Sequence, residues 1–122
     1  MTPPGGRVLN PVEVEQAIVA AADEVTEGVD IVTQRLQAYR DAERAFDLKF
    51  AMAFMEHKGP QTEKRYAAEI AATDARHDMD AAEVAYRYAE RRCKAAESRL
   101  SAYQSVNKSV SAMYQTAGRG EY

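Results

Sequence analysis

One histidine of this chain lies close to several carboxylates in the sequence. His77 follows Asp74 by three residues and precedes Asp78 and Asp80, so on a helix each carboxylate lies within about one turn of His77. Carboxylate-bridged metal sites in helix bundles use a Glu-x-x-His pair from each of two helices. This chain has one such pair, with Asp in place of Glu. A solvated helix face explains the same residues, and we predict no metal site and no cofactor.

A basic stretch between residues 87 and 108 has the composition of a nucleic-acid-binding surface. Tyr86, Tyr88 and Tyr103 lie in or beside it, and cations with interleaved aromatic rings can bind phosphates and stack on bases. Pairing of these cations with acidic residues of the same chain is the other interpretation. The nucleic-acid-binding candidates are Arg87, Arg91, Arg92, Lys94, Arg99 and Lys108.

The single cysteine does not have the neighbours of a catalytic nucleophile. No histidine lies within a helical turn of Cys93, and a small buried hydrophobe is the usual role of such a residue. One cysteine also excludes an intrachain disulfide and fits a reducing compartment. We predict no catalytic residues and no enzymatic activity.

The composition is that of one small domain. The chain has 122 residues, a net charge of −3 and 46% hydrophobic residues, many of them alanine, with no tryptophan. The Pro- and Gly-rich start lacks the apolar segment of a signal peptide, and no apolar run approaches the length of a membrane span. We therefore expect a cytoplasmic protein with no membrane partner.

Helix start and stop signals divide the chain into two long helices. Asn10 is placed to cap a helix that begins at Pro11, and Gly59 and Pro60 end it. Thr62 is placed to cap the second. The signals predict a flexible lead over 1–9, a single helical domain over 10–118 with helices at about 11–57 and 62–117, and a tail over 119–122.

Both helices carry apolar residues in a heptad pattern, which is typical of a coiled-coil packing seam. On the second helix one position of the repeat is mostly alanine, which permits close approach, and the other is larger. The predicted seam consists of Ile18, Val25, Val29, Val32, Leu36, Tyr39, Phe46, Phe50, Ala75, Met79, Ala82, Tyr86, Ala89, Cys93, Ala96, Leu100, Tyr103, Val110 and Tyr114.

The short connection predicts an all-α, antiparallel two-helix hairpin. Folding about Gly59 places residue i near residue 118 − i, which sets the acidic residues 13–30 beside the basic stretch. Further apolar residues lie off the seam and predict a second contact face, and hence a homo-oligomer that forms a four-helix or larger bundle. These residues are Ile31, Leu48, Met52, Ile70, Val84, Val106 and Met113.

Two tyrosine–glutamate pairs resemble a signal of helical-hairpin proteins secreted by mycobacteria. Tyr39 with Glu43, and Tyr86 with Glu90, fit the pattern Y-x-x-x-[DE]. Those substrates also carry a Trp-x-Gly turn, whereas this chain has no tryptophan and turns at Gly59. A secreted hairpin substrate is therefore one alternative function.

Most of the chain resembles small coiled-coil proteins encoded by bacteriophages of actinobacteria. The shared features are Gly59, Thr62, Arg65 and a late serine-rich segment, Leu100-Ser101-Ala-Tyr103-Gln104-Ser105-Val106-Asn107-Lys108-Ser109-Val110. The resemblance implies an oligomeric, non-enzymatic protein in the infected host cell that acts through contacts with an unknown protein partner as an accessory to DNA replication or recombination. Direct DNA binding and inhibition of a host protein remain alternatives.

Overall fold

The chain is helical over the residues that its computed structural model describes, 10–120. Three helices pack together: α1 spans Pro11–Glu56, α2 spans Gln61–Ala71 and α3 spans Thr73–Gly120. No strand occurs within the described range. The fold is therefore all-α, as predicted; the predicted lead over 1–9 and residues 121–122 of the predicted tail lie outside the described residues.

The signals at both ends of α1 act as predicted. The Asn10 side-chain oxygen Oδ1 accepts a hydrogen bond of 2.9 Å from the backbone N–H of Glu13, which satisfies one of the unpaired donors of the first turn. Beyond the last residue of α1, Gly59 has a φ of +148°, a conformation that side chains with a Cβ rarely adopt. Asn10 and Gly59 thus fix where α1 begins and where the chain turns.

The prediction that Thr62 caps the second helix is wrong. Pro60 occupies the cap position with an extended backbone, and its carbonyl accepts the first helical hydrogen bond, 3.0 Å from the Lys64 nitrogen. No side chain caps this end. Thr62 already lies inside the first turn, because the helix begins at Gln61.

The second helix, predicted as one element, is divided at Ala72. Its φ of −95° and ψ of 9° depart from helical values, although the Ala72 N–H still bonds to the Ala68 carbonyl at 2.9 Å. The Thr73 hydroxyl donates to the Glu69 carbonyl at 3.0 Å, a bond that often bends a helix. At its other end α3 continues through Gly118 to Gly120, because Gly118 does not take the positive φ of a helix stop.

The described residues belong to two compact units, to which α1 and α3 each contribute. We call residues 10–28 and 92–120 the terminal unit, and residues 29–91 the central unit. α2 lies entirely in the central unit.

The buried side chains of both units are small. The terminal unit buries Val14, Ala21, Cys93, Ala96 and Val110, and the central unit buries Ala68, Ala72 and Ala89. Among the described residues, no polar or charged side chain is buried. The terminal unit therefore depends on close approach of helix backbones rather than on large interlocking side chains.

All but two of the predicted seam residues are buried or half-buried. Val29 is 50% exposed, because Gly28 instead lies against α3, in contact with Cys93. Tyr114 is 52% exposed. In the terminal unit Glu24 bonds to Arg99, so α1, which begins at Pro11, has no helical residue opposite Tyr114.

The predicted register, with residue i near residue 118 − i, is displaced. In the terminal unit Glu24 bonds to Arg99, where the prediction places residue 94. In the central unit the Tyr39 ring stacks on that of Tyr86, where the prediction places residue 79. The displacement is five residues at Glu24 and seven at Tyr39, and a displacement of seven leaves the same faces of a heptad seam packed.

Replacing Ala96 by Leu tests the close packing of the terminal unit. Ala96 is 4% exposed, so the larger side chain must displace its neighbours, and we expect Ala96→Leu to lower the free energy of unfolding by about 1–3 kcal/mol. The adjacent Ala95 is exposed and provides the matched control Ala95→Leu, for which we expect almost no change. Equal stability of the two variants in urea denaturation would contradict the close packing.

Candidate functional site

In the terminal unit, the basic stretch is only partly neutralised by α1. Arg99 forms an ion pair of 2.6 Å with Glu24, and both side chains are about half exposed. Lys94 and Lys108 are exposed, and neither forms an ion pair with a described residue. Arg92 is also exposed and is not free of interactions. Charge pairing with α1 therefore accounts for Arg99 but leaves two lysines available to solvent.

In the central unit, the two remaining cations of the stretch differ. Arg87 lies between two carboxylates of its own helix, 3.1 Å from Glu90 and 4.0 Å from Glu83. Arg91 is exposed and forms no ion pair with a described residue.

The carboxylates near His77 do not form a ligand cluster. His77, Asp74, Asp78 and Asp80 are all exposed, and no group of three or more metal-ligating side chains comes together among residues 10–120. These four residues belong to the exposed surface of α3.

Cys93 is buried against the backbone of the facing helix. A Cβ placed on Gly28 would lie 3.2 Å from the Cys93 sulfur, so the two helices approach closely here. Burial raises the pKa of the Cys93 thiol, and the nearby Glu97 carboxylate raises it further. A neutral, buried thiol is a poor nucleophile, and its role is to pack.

Two tyrosines form the main aromatic contact of the central unit. The rings of Tyr39 and Tyr86 stack with their centroids 6.1 Å apart and their planes inclined by 16°. The Tyr86 hydroxyl donates a hydrogen bond of 3.0 Å to Glu90. The guanidinium of Arg87 lies 5.0 Å from the Tyr86 ring centroid. Such geometry is favourable both for the stacked pair and for the cation over a ring face.

The tyrosine pair is built from a repeated hexapeptide that the heptad analysis missed. Residues 38–43 read Ala-Tyr-Arg-Asp-Ala-Glu and residues 85–90 read Ala-Tyr-Arg-Tyr-Ala-Glu. In each copy the arginine bonds to the glutamate three residues later, at 2.8 Å from Arg40 to Glu43 and at 3.1 Å from Arg87 to Glu90. A search for identical short segments would have found the repeat. Both matches to Y-x-x-x-[DE] are thus engaged in contacts within the central unit.

Phenyl rings and methionines near the end of α1 separate onto different faces. Phe46, Phe50 and Phe54 are half-buried and follow one another with centroid distances of 6.0 and 6.4 Å. Met52 and Met55 are instead 54% and 81% exposed. The phenylalanines belong to the packed side of the central unit and the methionines to its surface.

The exposed methionines continue an apolar stripe along α1. Ile31, Ala38, Ala45 and Met52 are each seven residues apart, and Leu48 and Met55 lie beside them in the same repeat. All six are exposed, Leu48 by 62%. We call these six residues the outer stripe. The contact face predicted from the sequence includes Ile31, Leu48 and Met52, and Ala38, Ala45 and Met55 extend it at the same spacing by sevens.

Apolar residues are also exposed on the other two helices of the central unit. On α2, Tyr66 and Ile70 are 53% and 76% exposed, and on α3 Val84 is 67% exposed. Clusters of large exposed apolar side chains commonly mark interaction sites. The central unit therefore exposes large apolar side chains on each of its three helices.

Comparisons with known proteins give no family for this chain. No protein-family model matches it, and searches of curated proteins and of solved structures found no match. Among residues 10–120, no helix has both the length and the apolar character required to cross a bilayer.

Titration of Tyr86 tests the tyrosine contact. The hydrogen bond to Glu90 and burial raise the pKa of Tyr86, and burial beside Glu43 raises the pKa of Tyr39, both above the ordinary 10.0. The neutral phenols are therefore favoured by folding, and their stabilisation is present below pH 10 and is lost as the pH rises through the raised values. Tyrosine-selective NMR should show both rings titrating above pH 10.

The substitution Glu90→Gln should lower the pKa of Tyr86 by removing the carboxylate charge, with a smaller effect on Tyr39. Glu69→Gln, on α2, removes a carboxylate with no described contact to either ring and serves as the control. An unchanged Tyr86 titration in Glu90→Gln would contradict the contact.

Proposed function

We propose that this chain is a non-enzymatic helical hairpin that acts through protein–protein contacts as a homo-oligomer. The observation that carries the proposal is the outer stripe, a line of exposed apolar residues on a helix whose other face is already packed. Exposure of apolar surface to water is unfavourable. A helix with two apolar faces is therefore stabilised when another protein surface covers the face that remains exposed. Oligomerisation would cover this stripe.

The exposed residues of α2 and α3 supply a further contact surface for a protein partner. Tyr66, Ile70 and Val84 are large, apolar and at least half exposed. The resemblance to phage coiled-coil proteins suggests that this partner belongs to DNA replication or recombination, with the protein in the cytoplasm of the infected cell. Inhibition of a host protein would use the same kind of surface.

Self-association in solution is the first test. Sedimentation velocity from low micromolar to sub-millimolar concentration should give a multiple of the chain mass of 13.5 kDa. Met52→Glu should shift the distribution to monomer, because a buried carboxylate without a partner is costly. Ala51→Glu, one residue away and outside the outer stripe, is the matched control and should remain associated. A monomer at every concentration would refute the oligomer.

Direct binding of nucleic acid is a second candidate, and one observation favours it. Lys94 and Lys108 are exposed in the terminal unit without an ion pair to any described residue. The same unit carries six carboxylates against five cations over residues 10–28 and 92–120, and that balance weakens its attraction for a phosphate backbone. Nucleic-acid binding therefore requires that Lys94 and Lys108 of α3 can contact phosphates without the acidic residues of α1 coming close to them.

Fluorescence anisotropy with labelled single- and double-stranded oligonucleotides distinguishes the two functions. A DNA-binding protein should lose affinity steeply with salt, and each of Lys94→Gln and Lys108→Gln should reduce the salt slope by about one if its lysine neutralises a phosphate. Lys49→Gln, in the central unit, is the control and should leave the slope unchanged. Absence of binding at tens of micromolar protein in low salt would reject this candidate.

A further inference from the structure

The outer stripe has an uneven distribution of side-chain size, and the exposed Gln34 and Arg35 separate Ile31 from Ala38. It spans residues 31–55 of α1, about 36 Å at the helical rise of 1.5 Å per residue. Ala38 and Ala45 have small side chains, so the middle of the stripe is recessed, whereas the larger Leu48, Met52 and Met55 protrude in its C-terminal part. A partner helix that fits must therefore present large side chains where this stripe has small ones.

For Leu48 and Met52, a second copy has that shape when it runs in the opposite direction. A two-fold axis through Ala45 sets residue i opposite residue 90 − i of the second copy. Met52 then meets Ala38 of the second copy, since each lies seven residues from Ala45, and Ala45 meets its own equivalent. Parallel pairing would instead set Met52 against Met52, where the large side chains would clash. It would also set Ala38 against Ala38, where the small side chains would leave a cavity.

The charges on this face select the same arrangement. Asp41 lies within the stripe and its side chain is 65% exposed, in contact at 2.9 Å with Arg44. Lys49 is exposed on the same side of α1 and forms no ion pair with a described residue. Each lies four residues from Ala45, so the two-fold axis brings Asp41 opposite Lys49 of the second copy, twice per pair. Parallel pairing would place Asp41 opposite Asp41, which is repulsive.

We propose that the outer stripe binds the outer stripe of a second copy of this chain, antiparallel, about a two-fold axis at Ala45. The proposal rests on the proposed function, because it specifies which surface builds the homo-oligomer. An isologous contact of this kind closes on itself and leaves the exposed residues of α2 and α3 available to another partner.

Cysteine crosslinking tests the position of the axis, because only a residue on a two-fold axis meets its own equivalent. In the full chain, Cys93→Ala removes the one native thiol, and Ala45→Cys or Ala38→Cys introduces a new one. Under mild oxidation, or with a short bismaleimide, Ala45→Cys should form a covalent dimer in most chains. Ala38→Cys should form little, because it faces Met52. Equal crosslinking at the two positions, or none at Ala45→Cys, would overturn the proposal.

Charge exchange tests the direction and register of pairing. Asp41→Lys and Lys49→Asp should each weaken self-association about tenfold or more, because each sets like charges opposite one another. An equimolar mixture of the two variants should recover association, since positions 41 and 49 of one variant then face opposite charges on the other. The control is Asp47→Lys, an exposed acid outside the stripe, which should associate as the unchanged chain does.

The outcomes separate this proposal from the broader one. If the unchanged chain is oligomeric and the mixture fails to recover association, the antiparallel pairing at Ala45 is wrong and the proposed function stands. If the unchanged chain is monomeric up to sub-millimolar concentration, both are wrong. Circular dichroism of each variant establishes that helix content is unchanged, so that a weaker association is not caused by unfolding.

Discussion

Close approach of two helix backbones is the constraint on which the terminal unit depends. Any Cβ at Gly28 would lie 3.2 Å from the Cys93 sulfur, tighter than nearly all such contacts, so glycine is the residue that fits without displacement. Ala21 and Ala96 are buried by the same closeness. Small residues bury little apolar area each, so the stabilisation comes from many short contacts along the helices. Large apolar side chains are thereby left at the edges of the seam or outside it.

In the central unit, larger side chains pack α1 against α3. Tyr39 and Tyr86 stack across the seam, and their hydroxyls remain near glutamates at its edge, where the phenol can stay hydrogen-bonded. Because the two hexapeptides are almost identical, each helix supplies a tyrosine, an arginine and a glutamate in the same order. The stacked rings define one register, whereas alanines at the same positions would allow several.

The sequence predicts the helical class and most of the packed faces, but not the register. The heptad spacing indicates which side chains face inward, and Asn10 and Gly59 mark the start of α1 and the turn. A slip of seven residues preserves that spacing, so periodicity cannot distinguish Tyr86 from Met79 as the neighbour of Tyr39. The register depends instead on irregular residues, namely the tyrosines and Gly28. The sequence also does not predict the division at Ala72, because alanine does not indicate a bend. The hydrogen bond that favours a bend is donated by the hydroxyl of the next residue, Thr73.

In the proposed pairing, Asp41 would give the outer stripe its direction at some cost in affinity. A stripe of Ile, Ala, Leu and Met alone would pair with almost any apolar helix, in either direction and in several registers. Asp41, which already contacts Arg44 of its own helix at 2.9 Å, must keep that contact or its hydration when the stripe is covered, so partner surfaces that add a Lys or Arg there are favoured. Lys49 is such a cation, at the position where an antiparallel copy presents it. In the proposed pairing, Asp41 and Lys49 thus favour one orientation of an otherwise weakly selective apolar contact.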